Sequence, residues 1–149
     1  MFDIRTHIQR ASPYVLQGTT GDCGMFAIAL AKLMLQEGES VQLGICVRGT
    51  SFATVPDLTT LDQGCEEFAH VVVEWHDELY DIQGLTNVNA IQFDYFEGQE
   101  GQVLSYPLTD ALVAVVRRNT AYVHDWPFYL HLLQKSTVEA MIDLLCGKQ

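Results

Sequence analysis

Cys23 sits in the segment Gly21-Asp22-Cys23-Gly24, just ahead of a long apolar run. The stretch from Cys23 to Glu37 reads as a helix, with Gly38 as its C-terminal stop. Cys23 then falls in the first turn, where unpaired N–H groups and the positive end of the dipole stabilise a thiolate. Asp22 works against that unless its side chain turns back to cap the helix, and the flanking glycines permit close approach of a substrate. Gln17 lies a short way upstream. Its side-chain amide, with the N–H of Cys23, can cradle an oxyanion, which is the donor pair acyl transfer needs. His70 opens the run His70-Val71-Val72-Val73-Glu74-Trp75, and an imidazole carried at the mouth of a rigid strand suits a general base. Asp81 follows in Leu79-Tyr80-Asp81-Ile82.

The last two residues allow a test of geometry. If His76-Asp77 is a two-residue turn, Trp75 pairs with Glu78, Val72 with Asp81 and His70 with Gln83. Asp81 is then the diagonal neighbour of His70 on one face, roughly 7 Å away at the backbone, and its carboxylate can hold the imidazole by one nitrogen. A three-residue turn would put Asp81 on the other face. Taken singly, each residue has a plain structural role: a buried thiol, a solvated Gln, a hydrogen-bonded strand His, a polar strand end. Together they supply nucleophile, base, orienter and oxyanion donor, the cysteine form of the acyl-transfer triad.

The elements that must position them follow from pattern. Residues 1–16 read as an irregular lead-in, and Gly18 to Asp22 as turn chemistry. The run from Met25 to Leu35 is apolar on every face except Lys32, so this helix is expected at the centre of the molecule. Val41–Arg48, Ala69–Trp75, Leu79–Ile82 and Val88–Tyr95 read as strands, the second and third as a hairpin. Gly49 to Phe68 reads as a loop. Thr109 caps a helix to about Arg118, with the stripe Leu112, Val113, Val115 and Val116 as core rather than a cofactor box. Ser136-Thr137-Val138-Glu139 is a capping box opening a last helix that ends near Cys146, before Gly147. The fold class is α+β, one domain over 1–149.

Gln17, Asp22-Cys23-Gly24, Ala27 and Leu30-Ala31 resemble the N-terminal signature of papain-like cysteine peptidases, closest to the bacteriocin-processing (double-glycine leader) branch. His70-Val71-Val72-Val73 through Asp81 and Gly84 is similar to that branch's His and Asp blocks. The resemblance implies a papain-like fold, with the Cys on a central buried helix packed on an antiparallel sheet carrying His and Asp. It implies Cys23 as nucleophile, His70 as base, Asp81 as orienter and Gln17 as oxyanion-hole donor. Leader cleavage is not carried over. The interval from Cys23 to His70 is shorter than in that branch, Ile82 stands where a proline commonly follows the Asp, and the chain after Gly84 has no counterpart there. Peptidase, amidase, deamidase and amine-transfer chemistry all remain open on such a scaffold.

The chain has 149 residues, 48% of them hydrophobic and 18% charged, which describes a packed globule rather than a disordered segment. Its net charge of −11 argues against nucleic-acid binding and favours a protein or peptide substrate of basic character. That charge, on a short chain, also supports a rival reading: a non-enzymatic acidic module of inhibitor, chaperone or immunity type. No apolar run reaches the roughly 18 residues of a membrane span, and MFDIRTHIQR lacks the apolar core of a signal peptide, so the expected location is cytoplasmic. Cys23, Cys46, Cys65 and Cys146 show no Cys-x-x-Cys spacing and read as reduced thiols. Cys65 and His70 with Cys46 or Cys23 match no standard metal site, and no cofactor is expected. His124-Asp125-Trp126-Pro127 and His131 lie in an aromatic segment that reads as core cover or as a wall of the cleft, with His124 the rival base.

Overall fold

The computed structural model describes residues 1–14, 20–49, 52–63, 68–96, 98–120 and 137–148. Its elements, in chain order, are α1 (Ile4–Ala11), a 3₁₀ turn (Ser12–Tyr14), α2 (Thr20–Gln36), β1 (Gln42–Arg48), α3 (Leu58–Gln63), β2 (Phe68–Trp75), β3 (Glu78–Asp81), β4 (Gly84–Thr86), α4 (Val88–Tyr95), β5 (Gly101–Tyr106), α5 (Asp110–Thr120) and α6 (Thr137–Leu145). The fold is α+β, with one five-stranded sheet in the order β4-β3-β2-β1-β5, antiparallel at every pairing.

α2 is the central rod. Met25 to Ala31, Leu33 and Met34 are buried, and Lys32 is exposed as its polarity demands. Burying each of the larger side chains contributes about 1.5–3 kcal/mol. Leu35, expected inside, is exposed instead, because it lies in the last turn. The helix also begins earlier than the turn chemistry of Gly18 to Asp22 suggests, at Thr20. It ends in a Schellman motif: Glu39 N–H bonds Met34 C=O at 2.9 Å and Gly38 N–H bonds Leu35 C=O at 3.1 Å, with Gly38 at φ +87°. α2 packs on β2, with α5 and α6 against its flanks and α1 against α6.

Three segments differ from the sequence pattern. The lead-in is a helix, α1, because Asp3 caps it through Thr6 N–H at 3.2 Å while Ile4, Ile8 and Ala11 share one buried stripe. The segment from Gly49 to Phe68 contains α3, capped by Asp57 on Thr60 N–H at 2.8 Å. Val88–Tyr95 is a helix, not a strand: Asn87 accepts from Ala90 N–H at 2.9 Å, and this cap outweighs the alternating pattern of the run. Leu112, Val115 and Val116 are buried core and Val113 packs against it. Thr109 caps α5 through Leu112 N–H at 3.1 Å.

The sheet separates two apolar layers. Val71 and Val73 of β2 and Leu43, Ile45 and Val47 of β1 face the large layer that contains α2. Val72 of β2 and Cys46 of β1 face a smaller one with Ile91 and Phe96 beneath α4. Two glycines let this small layer close. A Cβ on Gly44 would come within 2.8 Å of Val72 and Val103, and one on Gly101 would run into the Phe96 ring.

Candidate active site

The β2–β3 hairpin turns through His76 and Asp77, both in the left-handed region at φ +52° and +59°. That is the turn hand that matches strand twist, here adopted without glycine. The register follows: Trp75 faces Glu78, Glu74 faces Leu79 and Val73 faces Tyr80. Continued one step, the period-two alternation puts Asp81 opposite Val72 and on the face of His70. Nε2 of His70 lies 3.0 Å from Oδ2 of Asp81, with the two residues 1% and 5% exposed. A carboxylate has no proton to give, so Nε2–H is the donor. Oδ1 of Asp81 accepts from Gln83 N–H at 2.8 Å, so both carboxylate oxygens are held.

Nδ1 of His70 is buried and has no hydrogen-bond partner among the described residues. Above the ring lies Tyr95, the last residue of α4, with centroids 3.8 Å apart and planes at 10°. Beside it on β1 is Cys46, the register partner of His70. Imidazole, carboxylate, phenol and Cys46 therefore share the face of the sheet that α4 covers, opposite the face that α2 packs on.

Cys23 is in the first turn of α2, half-buried against the large apolar layer. A charge there would nevertheless act on groups of the other layer. Burial pushes the Cys46 thiol up, with Cys23 and then Asp81 adding to it. Burial also pushes the Tyr95 hydroxyl up to about 12, with Asp81, Cys23, Asp94 and Cys46 contributing in turn. Cys23 thus lies within electrostatic reach of the two groups that flank His70, at the helix tip. Cys46 stays a neutral thiol and Tyr95 a neutral phenol at ordinary pH.

Comparison with protein-family models, with curated proteins and with solved structures finds no match to this chain. Its chemistry has to be read from its own side chains.

Of the four residues singled out by spacing, His70 and Asp81 are in direct contact, while Cys23 is linked to the groups around them only by its electrostatic effect on Cys46 and Tyr95. Gln17 lies outside the described residues, as do Cys65, His124, Asp125, Trp126, Pro127, His131 and Ser136. Among the described residues no group of three or more His, Cys, Asp or Glu is arranged to hold a metal ion. Cys46 and Cys146 are free thiols. Sequence reasoning missed Tyr95. The signal for it was Asn87, a strong N-cap directly before Val88, which makes Tyr95 the end of a helix rather than part of a strand.

Proposed function

We propose that this chain is a cysteine-dependent hydrolase of papain-like type, with Cys23 as nucleophile, His70 as base, Asp81 as orienter and Gln17 as oxyanion-hole donor. One observation carries the reading: a buried imidazole held at Nε2 by a buried carboxylate, its Nδ1 without a hydrogen-bond partner among the described residues. Buried ring nitrogens are normally satisfied, and an exception in a triad-like setting suits a group that handles protons. The α+β arrangement, a buried helix bearing the thiol near its N-terminus beside an antiparallel sheet, supports the papain-like description.

Nδ1 takes the proton of Sγ, and the thiolate attacks the carbonyl carbon of a peptide, isopeptide or glutamine carboxamide. The carbonyl oxygen becomes the oxyanion, received by the Gln17 amide at the positive end of α2. As the tetrahedral adduct collapses, Nδ1–H protonates the departing nitrogen, which leaves as amine or ammonia, and a thioester remains. Water, deprotonated at Nδ1, attacks the thioester; the acid product departs and the proton returns to sulfur. Replacing water by an amine gives transfer. The charge of −11 favours a basic substrate and a reduced, cytoplasmic setting suits a thiolate enzyme.

Iodoacetamide at neutral pH, read per cysteine by mass spectrometry, should label Cys23 faster than Cys46, Cys65 and Cys146. Equal or slower labelling of Cys23 sinks the proposal. Cys23→Ala should abolish hydrolysis. The acidic-module reading, which the charge alone favours, requires instead that Cys23→Ala leave function intact and trim stability by about 1 kcal/mol.

A further inference from the structure

Among the described residues the His70 ring has one hydrogen bond, at Nε2. That bond fixes Nε2 but does not by itself set the tilt of the ring, and a change of tilt would re-aim Nδ1. One constraint on tilt comes from the end of α4. Tyr95 lies flat over the imidazole, near-parallel at 3.8 Å. We propose that Tyr95 is a positioning residue: its ring clamps the His70 imidazole so that Nδ1 keeps one direction, while Asp81 keeps one tautomer. The catalytic consequence rests on His70 being the base; the clamp itself does not.

Three features built into α4 hold the clamp. Ile91 and Phe96 anchor the helix in the small apolar layer with Cys46 and Val72. Arg48 reaches from β1 to the Tyr95 carbonyl at 3.5 Å. Gly101 leaves room for the Phe96 ring, so the end of α4 settles onto the sheet. The electron-rich face of a neutral phenol also favours the imidazolium that forms when Nδ1 takes a proton. Tyr95 remains neutral because burial, first of several causes, lifts its hydroxyl to about 12.

The test uses the full chain with ¹⁵N-labelled histidine, His70 being assigned by loss of its signals in His70→Gln. In the unaltered protein the His70 ring protons should be displaced upfield by the Tyr95 ring, with one tautomer protonated at Nε2. Tyr95→Phe should preserve both signatures and the Cys23 alkylation rate. Tyr95→Met should lose the upfield displacement, show mixed tautomers and alkylate about tenfold more slowly. Ring protons at ordinary positions in the unaltered protein overturn the clamp. So does a Tyr95→Met chain with unchanged tautomer and alkylation, or a Tyr95→Phe chain as impaired as Tyr95→Met, which would credit the hydroxyl. The unaltered protein's spectrum decides the matter even if Tyr95→Met does not fold. If Cys23 alkylates no faster than Cys146 while the His70 signatures hold, the hydrolase reading fails and the clamp stands.

Discussion

Asp81 uses both of its oxygens, one on the His70 ring and one on the Gln83 backbone. The second bond ties the carboxylate to the β3–β4 turn, so the imidazole is referred to backbone rather than to a mobile side chain. Asp81→Asn keeps the shape and the bond from Gln83, but its amide N–H stabilises the opposite imidazole tautomer. If the proposed triad operates, turnover should fall by about 10²–10⁴-fold with the fold retained, as read by kcat and by near-ultraviolet circular dichroism. The His70–Asp81 pair was legible in the sequence because its logic is local: a two-residue turn and a period of two fix which side chains share a face. Tyr95 was not, since its contact with His70 joins separate elements through packing, and pattern carries no information on that.

Among the elements, α4 shows why local pattern fails. Val88 to Tyr95 alternates enough to pass for a strand, and Phe93 of this run ends up exposed on the finished helix. What decides is the Asn87 cap and the apolar floor supplied by Ile91 and Phe96. β5, which the sequence reading passed over, completes that floor beside β1. α2 was legible for the opposite reason: a run apolar on nearly every face has only one place to go. Gly101→Ala should disturb α4 selectively, because the new methyl meets an aromatic ring rather than a flexible chain end. The expected cost is about 1–3 kcal/mol, with Tm lowered about 2–4 °C for each kcal/mol and the Tyr95–His70 stack loosened.

The whole molecule should be bounded in pH from both sides. Asp3 and Asp57 are held below the usual carboxylate range by their caps on Thr6 and Thr60, and Asp62 by Arg118, 2.8 Å away, and Asn119. A lowered folded value means stability present above the ordinary carboxylate pKa and lost as pH falls through the folded one, so melting temperatures should hold to about pH 4 and drop below it. Asp57→Asn, which still caps, should lessen that drop. Tyr80, Tyr95 and Tyr106 are raised, burial being the first cause in each. There the unfolded chain ionises first, so stability should decline as pH climbs past about 10. Absorbance at 295 nm should show Tyr95 titrating about two units late, and Tyr95→Phe should remove that step.

The imidazole and its carboxylate belong to a single hairpin closed by two residues, whereas α6, which packs on α2, comes well after that hairpin in the chain. Short loops close at little entropic cost. On the ribosome, the imidazole and carboxylate can therefore come together while α2 still lacks its contact with α6. If the proposed hydrolase reading holds, the proton-handling half of the site is ready first, and packing of the interior brings the thiol to it.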